Sequence, residues 1–379
     1  MINKKALMEE FCSLAAIDAL SFQEREIADV LKEKLIALGF TVIEDNAGVR
    51  YNGNCGNLYA FLQGEIGSEP LLFSAHMDTV GPGTNKRAVF HKNGMITSDG
   101  TTVLGADDLC GIVCILEAIR SLKEDGVPHH SIEVLFTIAE EMYIRGSEVF
   151  DYSLVKAKEA YVLDLSGQVG TAAIAAPTLF SFSAVFIGKA SHAGFAPEQG
   201  KNAIMAAAKA ITEISQGRLD EETTANVGMI EGGQARNIVP DLCTLKGEVR
   251  SLSHEKAIKA IDNIKQKIEK VCKEQGIKFS FNYEVGCLSY RTQITHPVVQ
   301  RFERSCQFLG YKTRYIDTFG GSDNNNFMKN GITGIVIAAG MNQVHSCDEY
   351  TNINELEKAA RIVAALMTLD EKGENSYGV

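Results

Sequence analysis

The feature that most constrains this chain is a short apolar run that leads directly into a His and an Asp, residues 71–80, Leu-Leu-Phe-Ser-Ala-His-Met-Asp-Thr-Val. An apolar run closed by Gly and Pro, here residues 81–83, is typical of a buried strand that ends at a loop. Side chains two positions apart on an extended backbone point to the same face, so His76 and Asp78 share a side. Ligands of open α/β sheets bind at the carboxyl ends of the strands. The run therefore predicts an α/β fold with a functional site at the carboxyl edge of its sheet.

A pair of acids, Asp107 and Asp108, follows a loop rich in Gly and Thr, residues 98–106. The apolar spacing from there to about residue 124 predicts a helix, so both acids stand at a helix N-terminus, where free N–H groups favour carboxylates. Helix capping is therefore one explanation of the pair. Two adjacent acids exceed what a single cap needs, and we expect a functional role for at least one of them.

Three more predicted strands deliver an acid or a His at the same end, namely residues 132–138 before Glu140 and Glu141, residues 160–163 before Asp164, and residues 331–338 before His345. Adjacent carboxylates such as Glu140 and Glu141 repel each other, which favours a cation or a proton between them, and a solvated pair is the alternative. Two His and several carboxylates without Cys form a ligand set suited to zinc, manganese or cobalt. The charges of Asp107, Glu141 and Asp164 would balance most of the charge on two divalent ions, so we expect two ions rather than one.

The composition excludes several classes of function. The chain has 379 residues and a formal net charge of −11, which leaves no basic stripe to pair with nucleic-acid phosphates. No apolar run of about 18 residues predicts a membrane span, and no apolar segment near the start predicts a secretory signal. Nine Cys without paired spacing are typical of free thiols in a reducing compartment. We therefore expect a cytoplasmic protein with no nucleic-acid partner and no membrane partner.

The N-terminal region, residues 3–39, has the apolar spacing of two helices broken near Ser21. Ser21 and Glu24 form the pattern of a capping box, in which each side chain bonds the backbone N–H of the other residue. We therefore predict two helices with a break near Ser21 and a capping box at that break.

The order of predicted elements changes after Pro177. Residues 178–291 follow the order strand-helix-strand-strand-helix-strand, which is the ferredoxin-like unit, and helix-strand alternation resumes after them. We therefore predict a catalytic domain made of residues 1–177 and 292–379, with residues 178–291 as an inserted lid and dimerisation domain. Such a domain offers an exposed sheet edge or helix face for pairing, so we expect a homodimer.

Taken together, these motifs resemble the aminoacylase and carboxypeptidase G superfamily of di-zinc exopeptidases, and within it most closely the peptidase T-like tripeptidases. The resemblance covers essentially the whole chain. It is carried by residues 74–80, 104–108, 140–141, 164, 191–194 (Ser-His-Ala-Gly), 232–240 (Gly-Gly-Gln-Ala-Arg-Asn-Ile-Val-Pro), 320–323 (Gly-Gly-Ser-Asp) and 345. It implies a zinc-exopeptidase-like α/β fold, a mixed sheet sandwiched by helices, with the ferredoxin-like domain inserted.

The resemblance implies a ligand set for two metal ions, preferably zinc: Asp107 between the ions, His76 and Asp164 on one of them, and Glu141 and His345 on the other. It also implies a cis peptide bond between Asp107 and Asp108. Asp78 would orient His76 from behind, and Glu140 would be the general base that takes a proton from water.

In the inserted domain the resemblance implies three contacts to the substrate. His192 would help to stabilise the oxyanion when the lid closes. Asn237 and Arg250 would hold the terminal carboxylate of a peptide, because a planar guanidinium matches the two carboxylate oxygens. The residues alone leave other interpretations open: a polar turn residue for His192, a turn former for Asn237 and a surface ion pair for Arg250.

The implied function is hydrolysis of short peptides, with removal of the N-terminal residue of a tripeptide as the expected reaction. An N-acyl amino acid deacylase or a carboxypeptidase of the same architecture is the alternative, since these enzymes share the machinery and differ in the pocket. A metal-bound peptide-binding protein without turnover is the non-enzyme alternative, against which Glu140 argues. Leu109 and Tyr143 depart from the pattern of the tripeptidases, which leaves the substrate preference open.

Overall fold

The structure, a computed structural model, describes residues 1–369. The chain forms two compact units, which we call unit 1 and unit 2. Of the described residues, unit 1 contains Met1–Ala175, Arg291–Thr318 and 322–369, and unit 2 contains Ala176–Tyr290 and Phe319–Gly321. Each unit has its own apolar core. The functional division into a catalytic domain and a lid stays a prediction.

Within the described residues the chain forms ten α-helices: α1 (Lys4–Ala15), α2 (Arg25–Ala37), α3 (Ala47–Arg50), α4 (Ala106–Asp125), α5 (Arg145–Glu148), α6 (Ala203–Glu213), α7 (His254–Gln275), α8 (Pro297–Phe308), α9 (Asp323–Lys329) and α10 (Ile353–Thr368). Of these, α6 and α7 belong to unit 2 and the others to unit 1. No helix in this part of the chain combines the length and the apolar character that crossing a membrane requires.

The same residues form nineteen strands: β1 (Thr41–Glu44), β2 (Leu58–Leu62), β3 (Ile66–His76), β4 (Val89–Phe90), β5 (Met95–Thr97), β6 (His130–Thr137), β7 (Glu159–Leu165), β8 (Thr171–Ala176), β9 (Thr178–Ile187), β10 (Ser191–His192), β11 (Gly217–Asp220), β12 (Thr223–Gly232), β13 (Ile238–Val239), β14 (Leu242–Ser251), β15 (Lys278–Cys287), β16 (Tyr290–Arg291), β17 (Arg314–Asp317), β18 (Thr333–Ala338) and β19 (Tyr350–Asn352). Four sheets result, and the two large ones organise the two units.

A mixed sheet of nine strands forms the centre of unit 1, in the order β1-β2-β6-β3-β7-β18-β8-β16, with β17 beside β8. Strands β6, β3, β7 and β18 run parallel to one another, so their carboxyl ends lie at one edge. Neighbouring residues of β3 pack into different apolar clusters. Phe73 packs in one cluster with residues of α1, α4 and α10, and Leu72 packs in another with a residue of α9. Burial on both faces explains why these strands are continuous apolar runs. The predicted mixed sheet between helices is confirmed.

The break between the first two helices includes Ser21, as predicted, since α1 ends at Ala15 and α2 begins at Arg25. The predicted capping box is absent from this helix start. The hydroxyl of Ser21 donates to Asp78 Oδ2 over 2.7 Å, and the carboxylate of Glu24 accepts the N–H of Ala139 over 3.0 Å. Partners far along the chain have therefore replaced the local capping bonds that the sequence pattern indicated.

Unit 2 is built on a five-stranded antiparallel sheet in the order β11-β12-β14-β9-β15. Without the short β11, this is the strand order of the ferredoxin-like unit, and the inserted ferredoxin-like fold is confirmed. Alternate residues of β9 and one stripe each of α6 and α7 fill the core, among them Phe180, Phe182, Phe186, Ala206, Ala210, Ile261, Ile264 and Ile268. The period of two in β9 and the helical spacing in α7 thus bury the faces that their patterns predict.

Candidate metal centre

The carboxyl edge of the unit 1 sheet brings together the acids and imidazoles that the sequence singled out. They are His76 as the last residue of β3, Asp107 in the first turn of α4, Glu140 and Glu141 after β6, Asp164 near the end of β7, and His345 between β18 and β19. The shared setting follows from the parallel strands, whose ends face the same loops.

The ring of His76 lies between two acids and is almost wholly buried, with 1% of its surface exposed. Its Nε2 is 3.0 Å from Asp107 Oδ1 and 3.9 Å from Asp164 Oδ1. Its Nδ1 is 2.9 Å from the backbone carbonyl oxygen of Asp78 and 3.4 Å from the Asp78 carboxylate. Burial alone would lower the pKa of His76, but the bonds to Asp107 and Asp78 outweigh it and raise the pKa well above its ordinary value. Asp78 thus holds one ring nitrogen while the other faces the acids.

Asp107 contacts both imidazoles, one with each oxygen. Its Oδ2 lies 3.3 Å from Nε2 of His345, and that nitrogen is also 2.9 Å from Glu141 Oε1. These two acids raise the pKa of His345 to about 10. Burial would raise the pKa of Asp107, yet the two imidazoles hold it below its ordinary range. Asp107 is therefore an anion between two ring nitrogens, and its peptide bond to Asp108 is cis, as the resemblance implied.

Two groups of ligand atoms are close enough to hold metal ions. The atoms of His76, Asp107 and Glu141 lie within 4.8 Å of one another, and so do those of His76, Glu140 and Asp164. Imidazole nitrogens and carboxylate oxygens are donors that zinc, manganese and cobalt accept. The side chains of this edge therefore fit divalent cations, although the second group contains Glu140, to which the resemblance gives another role.

Negative charge exceeds positive charge at this edge of the sheet. Burial raises the pKa of Glu140 well above its ordinary value, and the charges of Asp323 and Glu141 add to the effect, while His76 opposes it. Burial likewise raises the pKa of Asp164, with further contributions from Asp107 and Glu140. Each of these acids would ionise more readily beside a cation, which is the electrostatic condition for metal binding.

Two buried acids hold the backbone that carries the two glutamates. The carboxylate of Asp78 accepts the N–H of Glu140 over 2.9 Å and the N–H of Glu141 over 3.2 Å. Glu24 accepts the N–H of the preceding residue, Ala139. Three successive amides after β6 are thus bonded to side chains from other segments, and this fixes the direction in which both glutamates point.

Sequence reasoning missed three of the acids around this site: Glu24, Asp323 and Glu349. Asp323 was part of a motif of the resemblance but had no role, and it accepts the hydroxyls of Thr137 and Ser147. Glu24 matched a capping-box pattern, so the sequence predicted a local role for it. Glu349 lies four residues after His345 in a loop that carried no motif. Only long-range contacts, which no local pattern encodes, could have identified them.

The predicted substrate contacts lie in unit 2. Nδ1 of His192 accepts the N–H groups of Gly194 and Phe195 over 3.1 and 3.2 Å, so a neutral ring carries its proton on Nε2. The ring also stacks on Phe195, with 4.2 Å between the ring centroids. The backbone carbonyl of Asn237 accepts the N–H of Ala193 over 2.9 Å. His192 and Asn237 are therefore neighbours in one loop pair.

Arg250, on β14, has its guanidinium engaged by an acid on the same strand. Its Nε and Nη2 donate to the two oxygens of Glu248 over 2.8 and 3.1 Å, and its Nη1 donates to the carbonyl of Phe319 over 2.9 Å. The fork that would bind a carboxylate of the substrate thus binds a carboxylate of the protein. This geometry shows that the position accepts a carboxylate in the bidentate manner.

Comparison with known proteins places this architecture in a family. Residues 174–276 match the family described as peptidase dimerisation domain, and residues 57–222 match peptidase family M28. The crystal structure of aminopeptidase PepT from Bacillus cereus ATCC 10987 is 38% identical, covers 97% of this chain and 98% of its own, and gives a TM-score of 0.89. That of a tripeptidase from Staphylococcus aureus is 35% identical, with the same coverage of both chains and a TM-score of 0.93.

A further relative, the uncharacterized protein YqjE of Bacillus subtilis, is 38% identical over 97% of this chain and 99% of its own. Together with the fold and the acid-rich edge of its sheet, these matches define a metallopeptidase, a hydrolase with a candidate metal site and a dimerisation domain. The chain belongs to the peptidase T-like family. The roles of the individual site residues stay predictions.

Glu24 predicts a measurable dependence of stability on pH. Burial, followed by the charge of Asp78, raises the pKa of Glu24 from 4.5 to about 7. The folded state then holds this proton more tightly than the unfolded chain, so stability falls as the pH rises through this window. We expect the free energy of unfolding of the wild type to fall by about 3 kcal/mol relative to that of Glu24→Gln between pH 4.5 and 7.5.

Urea unfolding at a series of pH values measures this difference. Glu33→Gln, an exposed substitution on the same helix, serves as the matched control and should follow the wild-type curve. Parallel curves for the wild type and Glu24→Gln would contradict the prediction.

Proposed function

We propose that this chain is a di-zinc exopeptidase that removes the N-terminal residue of tripeptides. The observation that carries the proposal is the position of Asp107 between two imidazole nitrogens, with one carboxylate oxygen on each. A carboxylate with two such neighbours is suited to bridge two cations. The similarity to an aminopeptidase and a tripeptidase over nearly the whole chain supports the choice of substrate.

Five residues would hold the metal ions: Asp107 shared, His76 and Asp164 on one side, Glu141 and His345 on the other. The ions, when bound, would supply Lewis-acid chemistry that lowers the pKa of a water molecule and polarises a carbonyl group. Asp78 would keep Nε2 of His76 directed at the acids, through the contact of its carbonyl oxygen with Nδ1. Zinc is the proposed metal, and manganese and cobalt suit the same donors.

Glu140 would act as general base at a carboxylate oxygen. It would take a proton from water and deliver it to the amine that leaves. The side chain is 9% exposed, and burial is the main reason that its pKa is raised well above the ordinary value. A carboxylate with a raised pKa is a better base near neutral pH, which supports this role. The bond between its own N–H and Asp78 would hold it in place.

The terminal carboxylate of the peptide would be bound by Arg250 together with Asn237, and His192 would donate from Nε2 to the developing oxyanion. The bidentate pair of Arg250 and Glu248 supports the first part, since it is the geometry that a substrate carboxylate would adopt. The substrate would then replace Glu248 on the guanidinium. If the enzyme must bind the C-terminal carboxylate while it cleaves the first peptide bond, only short peptides would be substrates.

A homodimer formed through the inserted domain is part of the proposal. It is supported by the match of residues 174–276 to a peptidase dimerisation domain and by strand β12, whose residues 226–232 pair on one side with β14 and extend beyond the short β11 on the other. The nine cysteines are all free thiols, which supports a reducing compartment such as the cytoplasm.

Removal of the general base is the direct test of the mechanism. We expect Glu140→Gln to bind two zinc ions like the wild type but to lose about 100-fold to 10,000-fold in kcat, because the amide cannot take a proton. Glu148→Gln, eight residues further along on α5, is the control that should retain activity. Metal analysis and initial rates on a free tripeptide provide the measurements, and normal turnover by Glu140→Gln would refute the assigned base.

A panel of modified peptides separates the candidate activities. We expect cleavage of a free tripeptide after its first residue, with N-acetylated and C-amidated versions cleaved at least about 10-fold more slowly. Arg250→Lys should raise the KM of the free tripeptide about 10-fold to 100-fold, because bidentate bonding to the carboxylate is lost. It should leave the C-amidated peptide unchanged. Exclusive hydrolysis of the N-acylated peptide would favour the deacylase alternative, and release of the C-terminal residue would favour a carboxypeptidase.

Light scattering of the full chain tests the dimer. The expected mass is twice that of the 41.2 kDa chain. A single species of monomer mass at micromolar concentration would contradict the proposed assembly.

A further inference from the structure

Glu349 is a buried carboxylate for which the proposed reaction has no use. It lies between His345 and the start of β19, and 1% of its surface is exposed. Within residues 1–369, no Lys or Arg side chain forms an ion pair with it. The buried Lys86 interacts with it through its charge but forms no ion pair with it. A buried carboxylate is costly unless hydrogen bonds replace its hydration, so its partners require an explanation.

Its partners are three backbone amides on the loop that enters α4. Oε2 of Glu349 accepts the N–H of Leu104 over 2.7 Å and that of Gly105 over 2.8 Å, and Oε1 accepts the N–H of Asp107 over 2.9 Å. Gly105 is the residue before the helix and has a left-handed φ of 78°, and Asp107 and Asp108 have non-helical backbone angles. The carboxylate of Asp108 caps the regular helix by accepting the N–H of Gly111 over 3.1 Å. Glu349, more than 240 positions away in the chain, holds the amides of the preceding turn, which no local side chain accepts.

These bonds connect two segments that each carry a predicted metal ligand. Asp107 belongs to the segment whose N–H groups donate to Glu349. His345 stands four residues before Glu349 on the other segment. The side chains of the two ligands are 3.3 Å apart, between His345 Nε2 and Asp107 Oδ2. The three bonds and this contact close a short ring that limits how far the two ligands can move relative to each other.

We propose that Glu349 is a positioning residue for the metal centre, because it fixes the segments of Asp107 and His345 at the separation that metal binding needs. The role rests on the proposed metal site. It requires a carboxylate, since both oxygens accept N–H groups, and an amide in their place would direct its own N–H at one of these donors. Side chains that orient metal ligands typically contribute about 10-fold to 100-fold to metal affinity.

A purely structural role for Glu349 would predict a different outcome, and α4 offers a comparison. Glu117, on the same helix, is also 1% exposed and accepts a backbone N–H, that of Asn3, over 2.6 Å. It lies outside the set of residues that form the candidate site. Glu117 also forms an ion pair with Arg120 over 2.6 Å. Glu117→Gln and Glu349→Gln therefore each weaken the bonds of a buried carboxylate beside or on α4, and only the second should disturb the metal ions.

The test compares the wild type, Glu349→Gln and Glu117→Gln as full chains. Competition with a chromophoric chelator measures the affinity for Zn²⁺, and the visible spectrum of the Co²⁺-loaded protein reports the ligand geometry. We expect Glu349→Gln to bind at least one zinc ion about 10-fold to 100-fold more weakly and to shift the Co²⁺ bands. Glu117→Gln should match the wild type in both measurements, whatever its unfolding temperature.

Unchanged zinc affinity and an unchanged Co²⁺ spectrum in Glu349→Gln would overturn the positioning role and leave the proposed function intact. Failure of the wild type to bind zinc would overturn both. Hydrogen exchange on the metal-free wild type gives a result that does not depend on the variant folding. We expect the amides of Leu104, Gly105 and Asp107 to exchange at least about 100-fold more slowly than in an unstructured peptide, and exchange at the unprotected rate would overturn the proposal.

Discussion

Like charges crowd the carboxyl edge of the unit 1 sheet, and the surrounding structure depends on how that crowding is relieved. Parallel strands deliver side chains to one edge, and here those side chains are mostly carboxylates. Buried acids repel one another in a medium that screens charge poorly. The raised pKa values of Glu140 and Asp164 record this repulsion, while the two imidazoles beside Asp107 relieve it locally. A site of this kind is most stable when cations occupy it.

A second set of acids holds the backbone around the site. Asp78, Glu24 and Glu349 accept seven N–H groups in total, those of Phe22, of residues 139–141 and of Leu104, Gly105 and Asp107. Each pairs a segment that carries predicted ligands with a distant part of the chain. Loops are ordinarily the mobile parts of a domain, and bonds of this kind give them the rigidity that a metal site requires.

Unit 2 has its own apolar core, formed by a separate cluster of buried residues. Its predicted substrate contacts are held by local partners, His192 by the amides of its own loop and Arg250 by the neighbouring acid Glu248. Under the proposed function, a guanidinium already paired with a carboxylate has the orientation that a substrate carboxylate would need. Specificity would then depend on what can replace Glu248.

The sequence by itself determined the two sheets, the inserted ferredoxin-like fold and the positions that meet at the strand ends, because apolar periodicity reports which face of an element is buried. It also pointed to His76 and Asp107, since an acid or His at the end of an apolar strand stands out locally. Only the tertiary structure decided that Ser21 and Glu24 leave their capping box for partners beyond β3 and β6, and that Glu349 holds the turn that enters α4. A hydrogen bond between segments that lie far apart in the chain depends on where folding places them, and no local spacing encodes that.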